Sequence, residues 1–207
     1  QGALTKHNTR IPLAEATAPL SGFRSWLDDD FLSNTVFGWT QKLARVAPGA
    51  IRTVNRISTK ALSPRVYTAP SYQVFTSERR VRFCEMEYAI PRETVVDVLR
   101  ELDAEIERSG MRISFPVEVR VAAADDITLS TASGRESAYV AVHMDNKQPH
   151  EEYFRLVESV MDDVAGRPHW GKLHYQSAET LRGRYPRFDE FVALRDQLDP
   201  SGRFSNA

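Results

Sequence analysis

Hydrophobic and polar positions along this chain switch between the two-residue period of a strand and the 3.6-residue period of a helix. Residues 1–20 follow neither period, which predicts an extended lead-in. From Phe23 to Ala47, the apolar residues Trp26, Leu27, Phe31, Val36, Phe37 and Leu43 suit a helix or a broken helix pair ahead of Pro48 and Gly49. A second helix is expected over 50–62. The segment 81–90 alternates, with Cys84, Met86, Tyr88 and Ile90 on one side and Glu85 and Glu87 on the other; this predicts a strand with Cys84 in the core.

After Pro91, the residues Val95, Val98, Leu99, Leu102 and Ile106 recur at helical spacing and stop at Gly110, a residue suited to a helix C-terminus. The clearest alternation follows, with Ile113, Phe115, Val117, Val119 and Val121 set against Ser114, Pro116, Glu118, Arg120 and Ala122. It predicts a strand whose Pro116, lacking an N–H, points to a sheet edge or a bulge. A third strand is expected over 138–145, with Val140, Val142 and Met144 facing one way and Tyr139, Ala141 and His143 the other. Tyr153, Val157, Val160 and Val164 mark a helix ending at Gly166, and two short helices are expected over 178–184 and 188–198.

At 207 residues and 42% hydrophobic, the chain can bury a sizeable core. With 27 basic against 28 acidic residues, the formal charge of -1 argues against broad attraction to nucleic acid or acidic membrane. The single cysteine, Cys84, excludes an internal disulfide framework and suits a reducing compartment, so the cytoplasm is the expected location. No run approaches the roughly 20 apolar residues that span a bilayer, so no transmembrane segment is expected.

On the strand through 121, Glu118 and Arg120 share a face about 7 Å apart at the usual rise of roughly 3.3 Å per residue. In bulk solvent such a pair is worth only about 0–1 kcal/mol, and spacing alone leaves surface and pocket equally open. The run His169-Trp170-Gly171-Lys172-Leu173-His174-Tyr175 gathers an indole, a cation and two imidazoles just after a helix stop. Its two histidines have no acidic or thiol partner at a ligand spacing, so no metal is expected. Asp125 and Asp126 read as a solvated turn. Neither a GxGxxG nor a GxxxxGK[ST] loop occurs, so the chain by itself has no cradle for a dinucleotide pyrophosphate.

Four blocks then stand in a telling order: SYQVFTSERRVRFCEMEYAIP at 71–91, VEVRVAAADDITLSTASGRESAYVAVHM at 117–144, RPHWGKLH at 167–174 and LDPSGRFSNA at 198–207. Together they closely resemble the C-terminal portion of the sugar-1,4-lactone oxidases and dehydrogenases. That family belongs to the vanillyl-alcohol-oxidase-like flavoproteins and includes gulonolactone, arabinonolactone and alditol oxidases. The resemblance implies that residues 21–207 form a substrate-binding cap domain with an α+β fold, a largely antiparallel sheet with flanking helices. Its FAD would be held mainly by an N-terminal FAD-binding domain outside this chain. It further implies oxidation of an aldono-1,4-lactone, such as L-gulono- or D-arabinono-1,4-lactone, by hydride transfer to flavin N5.

Carried over by motif, Glu118, Arg120 and Lys172 become the expected catalytic residues, joined by His143 in binding substrate. Arg120, His169, Trp170 and Lys172 are expected to border the cofactor. His143 stands where alditol-oxidising relatives carry a small hydroxyl residue. Alditol oxidation, or a stand-alone non-enzymatic cap that binds a sugar or a protein, are the alternatives. Membrane association of a longer parent protein stays open.

Overall fold

The strand expected near 81–90 forms as β1 (Phe83–Pro91) in the computed structural model, which describes residues 11–12, 19–61, 66–76 and 78–204. The lead-in expected over 1–20 lies almost wholly outside the described residues. The chain divides into two compact units, one of residues 1–83 with 112–114, the other of residues 84–111 with 115–207.

In the first unit, α1 (Gly22–Ser25), an eleven-residue π-helix (Trp26–Val36) and α2 (Phe37–Val46) succeed one another, and α3 (Ile51–Ala61) and α4 (Ser71–Phe75) follow. The break expected in the first helical stretch is thus a change of winding. Asn34 marks it: its buried amide donates to the carbonyls of Asp29 and Glu78, each at 2.8 Å, while its oxygen accepts from the Arg80 N–H at 2.7 Å.

The second unit runs β1, α5 (Val95–Ser109), β2 (Glu118–Ala122), β3 (Ser137–Asp145), α6 (Glu151–Asp162), β4 (Arg167–Pro168), α7 (Ala178–Arg184) and α8 (Phe188–Leu198). Its four strands form one antiparallel sheet in the order β2-β3-β1-β4. A βαββαβ chain threaded in that order is the split βαβ, ferredoxin-like arrangement, which bears out the α+β expectation. Gly110, at φ +73°, ends α5 in the left-handed conformation expected of it.

One face of the sheet carries Met86, Tyr88, Ile90, Val140 and Val142, all almost fully buried, beneath Val98 and Leu102 of α5 and Phe154, Val157 and Met161 of α6. Each large apolar side chain buried this way contributes about 1.5–3 kcal/mol. Cys84 is only partly buried. Tyr88 donates to Glu158 of α6, whose same carboxylate oxygen accepts the Tyr175 N–H at 2.9 Å. Gly166 packs so closely that a Cβ there would lie 2.8 Å from the Met161 carbonyl and 3.0 Å from the Tyr88 ring, so the chain can turn tightly from α6 into β4.

The strongest alternation in the sequence yields a shorter strand than expected. Pairing starts only at Glu118, because the backbone before it is claimed by side chains: the Asn55 amide donates to the Ile113 carbonyl at 3.1 Å, and the Gln41 amide faces the Ser114 carbonyl at 3.4 Å. Pro116 adds no N–H. β2 is an edge strand, as the proline suggested, and Val119 and Val121 along it, with Val117 just before it, stay substantially exposed.

Candidate active site

The sheet face turned away from α5 and α6 is polar. On β1, strand parity sends Glu85 and Glu87 to that face together, and β1 lies inside the sheet rather than at its rim. The Glu87 side chain is only 2% exposed. A carboxylate so buried costs several kcal/mol unless paired, and here two cations pair with it. Lys172 Nζ lies 2.6 Å from Glu87 Oε2, and Arg120 Nη2 donates to the same oxygen. Lys172 Nζ also reaches Glu85 Oε1 at 2.6 Å, and His143 Nε2 approaches that oxygen at 3.2 Å. Glu118 Oε1 closes the chain of charges, 3.4 Å from Arg120 Nε.

Register explains why these groups meet. Arg120 pairs with Tyr139 and Glu118 with Ala141 across the β2–β3 ladder, so the small Ala141 lies beside the carboxylate and the guanidinium sits 6.0 Å over the Tyr139 ring. His143, two residues further along β3, stacks on Phe115 at 5.9 Å. Arg120 remains 51% exposed and Glu118 47%, so the cluster has a buried floor and an open rim.

Lys172 comes from the other edge. The His169 N–H donates to the Glu87 carbonyl at 2.9 Å, continuing the register of β4 against β1. The next rung is made by the Leu173 N–H to the Glu85 carbonyl at 3.0 Å, where unbroken pairing would put residue 171. Two extra residues therefore bulge out, closed by a Lys172 N–H to His169 carbonyl bond of 3.1 Å. The bulge throws Lys172 over the two glutamates, while Trp170 donates its indole N–H to the Leu129 carbonyl at 2.9 Å and lies with its ring 5.0 Å from Tyr185. His169 Nδ1 accepts the Gly171 N–H at 3.0 Å and steadies the turn.

Burial pushes the Glu85 carboxyl up, but the hydrogen bond and charge of Lys172, with His143 beside it, hold it below its ordinary value of 4.5. A carboxylate held low stabilises the fold above its unfolded pKa and loses that contribution as pH falls through its folded one. Wild type should therefore exceed Glu85→Gln by about 1–3 kcal/mol near neutrality, the worth of a charge-assisted hydrogen bond, and converge with it in acid. Melting curves of both proteins across the acid range check this; a gap that does not shrink with acidification contradicts it.

The structure thus brings Glu118, Arg120, Lys172 and His143 to one face, with His169 and Trp170 in the adjoining turn. Sequence reasoning did not single out Glu85 and Glu87 as site residues. The available signal was two carboxylates at strand spacing on one face of an otherwise apolar segment. Asp125 serves its own turn, accepting from the Ile127 N–H at 3.1 Å and the Ser130 hydroxyl at 2.6 Å. Among the described residues, no helix is long and apolar enough to cross a membrane.

A family model described as D-arabinono-1,4-lactone oxidase matches residues 1–207. An L-gulono-1,4-lactone dehydrogenase from Mycobacterium tuberculosis is 44% identical over 192 residues, covering 93% of this chain and 45% of the relative. The L-gulonolactone oxidase of Bos taurus is 32% identical over 196 residues, covering 91% of this chain and 44% of that protein. An alditol oxidase from a Streptomyces species is 38% identical over 125 residues, 59% of this chain and 29% of its own length. The chain therefore spans less than half the length of these relatives.

Proposed function

Given that this chain belongs to the D-arabinono-1,4-lactone oxidase family, we propose that it is the substrate-binding part of an FAD-dependent oxidoreductase acting on an aldono-1,4-lactone, such as L-gulono- or D-arabinono-1,4-lactone. The observation that carries this reading is the meeting of Arg120 and Lys172 on one Glu87 oxygen, with Glu118 and His143 alongside on an open sheet face. A sugar presents hydroxyl groups that both donate and accept. Carboxylates and cationic N–H groups alternating over a few ångströms complement that pattern.

The described residues hold no glycine-rich phosphate loop, so the pyrophosphate of FAD would be bound by another region. The half-exposed guanidinium of Arg120, the exposed indole of Trp170 and the donors of His169 and Lys172 fit the polar, planar reacting end of a flavin. When bound, FAD supplies the hydride acceptor. The protein's part is positional. Arg120 and Lys172 hold a carbonyl or hydroxyl oxygen of the substrate, and Glu118 accepts from a neighbouring hydroxyl.

Glu118→Gln removes an acceptor from the open rim and leaves the buried pairs in place. The Michaelis constant for the lactone should rise about tenfold, as expected for one charge-assisted hydrogen bond, with the melting temperature unmoved. Unchanged kinetics would remove Glu118 from the site. The functional reading itself is tested by anaerobic mixing of the complete protein with a panel of lactones and alditols while flavin absorbance is followed. Faster bleaching by alditols than by any lactone would favour polyol oxidation instead.

A further inference from the structure

Two cations on a sugar-binding face would ordinarily attract an anion, but here both are already engaged. Lys172 is shared between Glu85 and Glu87, and Arg120 between Glu87 and Glu118. Three carboxylates face two cations. Counted with a neutral His143, the cluster carries a net negative charge; counted with an imidazolium, it is neutral. In neither state is it positive. Lys172 is only 18% exposed and Glu87 2%, so solvent screens the inner part of this balance poorly.

Aldonolactones exist in water beside the hydroxy-acid anions that form when their ring ester hydrolyses. The two share stereochemistry and most hydroxyls and differ chiefly by one carboxylate. We propose that Glu87, assisted by Glu85, is a specificity-determining residue that neutralises the Arg120–Lys172 pair, so that the site takes the uncharged lactone or a polyol and rejects the open-chain aldonate. The claim rests on the sugar-site reading given above. A neutral ligand exchanges hydrogen bonds with Glu118, Arg120 and Lys172 without disturbing the ion pairs. An aldonate would have to displace Glu87 from a cation or place a second negative charge beside Glu118, and like-charge contact of that kind selects strongly against a ligand.

The test is equilibrium binding of L-gulono-1,4-lactone and of potassium L-gulonate by anaerobic calorimetry to the complete protein with its flavin already reduced, so that the lactone is not turned over, for wild type and Glu87→Gln. Wild type should bind the lactone at least about tenfold more tightly than gulonate, a modest penalty for like-charge contact. In Glu87→Gln, where Lys172 keeps Glu85 and Arg120 keeps Glu118, gulonate should tighten by about fivefold or more while the lactone does not tighten. A merely structural role for Glu87 would weaken both ligands. Should Glu87→Gln fail to fold, Glu85→Gln carries the same expectation from a less buried position.

Equal wild-type affinity for the two ligands, or no gain of gulonate affinity in either variant, overturns the proposal while leaving the lactone site standing. A wild-type protein that binds neither lactone nor alditol overturns the sugar-site reading itself, and the proposal with it.

Discussion

Replacing Arg120 with lysine is expected to lower lactone turnover by roughly a hundredfold or more, the scale on which loss of one aligned donor acts in preorganised sites. The substitution keeps the charge and loses the geometry. The guanidinium spans Glu87 and Glu118 at once, directing Nη2 to the first and Nε to the second, and lies over Tyr139. An ammonium can bridge two carboxylates that converge on it, as Lys172 does, but it offers no pair of separate coplanar donors like the Nη2 and Nε that reach Glu87 and Glu118. Stopped-flow reduction of the flavin by saturating lactone measures the effect. A near-wild-type rate in Arg120→Lys would show that the fork is dispensable.

The largest expected effect on stability belongs to Glu158→Ala. Glu158 is buried, and its Oε2 accepts from both the Tyr88 hydroxyl and the Tyr175 N–H. Burial, then the hydrogen bond to Glu158, holds the Tyr88 phenol far above its ordinary pKa of 10.0. Truncation leaves one buried hydroxyl and one partly buried N–H without this acceptor. At about 1–3 kcal/mol for each lost partner, the fold should lose roughly 3 kcal/mol, or about 6–12 °C in melting temperature for a domain of this size. Thermal denaturation checks it; a shift of only a degree or two would mean that the linkage between β1, α6 and the segment through Tyr175 is replaceable.

The parity of single strands was legible in the sequence. Alternation placed Met86, Tyr88 and Ile90 together, put Val140 and Val142 opposite Tyr139 and His143, and assigned Glu118 and Arg120 to one face. Gly110 and Pro116 were legible for the same local reason, since a left-handed cap and a missing N–H are properties of the residue itself. What local period could not reveal was competition from afar. The strand expected from 113 begins at Glu118 because the side-chain amides of Gln41 and Asn55 reach the backbone at 113–114. Nothing in the alternation records them.

The site divides along the same line. Glu118, Arg120, His143 and Lys172 were nominated by motif, and their role in chemistry remains the proposal made above. Glu85 and Glu87 were visible only as two carboxylates on the polar side of a strand. Their importance depends on the strand order that sets β3 between β1 and β2, and on a two-residue bulge that delivers an ammonium from 85 positions away in sequence to Glu87. Both are tertiary facts. A carboxylate's meaning is set by what is folded against it.

A sugar lactone is expected to bind on the polar face of this sheet, among Glu118, Arg120 and Lys172. A structure of the complete protein with L-gulono-1,4-lactone bound tests this most directly. The expected result is a ligand whose oxygens lie within hydrogen-bond distance of Arg120 and Lys172, with a hydroxyl donated to Glu118. A lactone bound away from that face, with these three side chains facing only water, would contradict it.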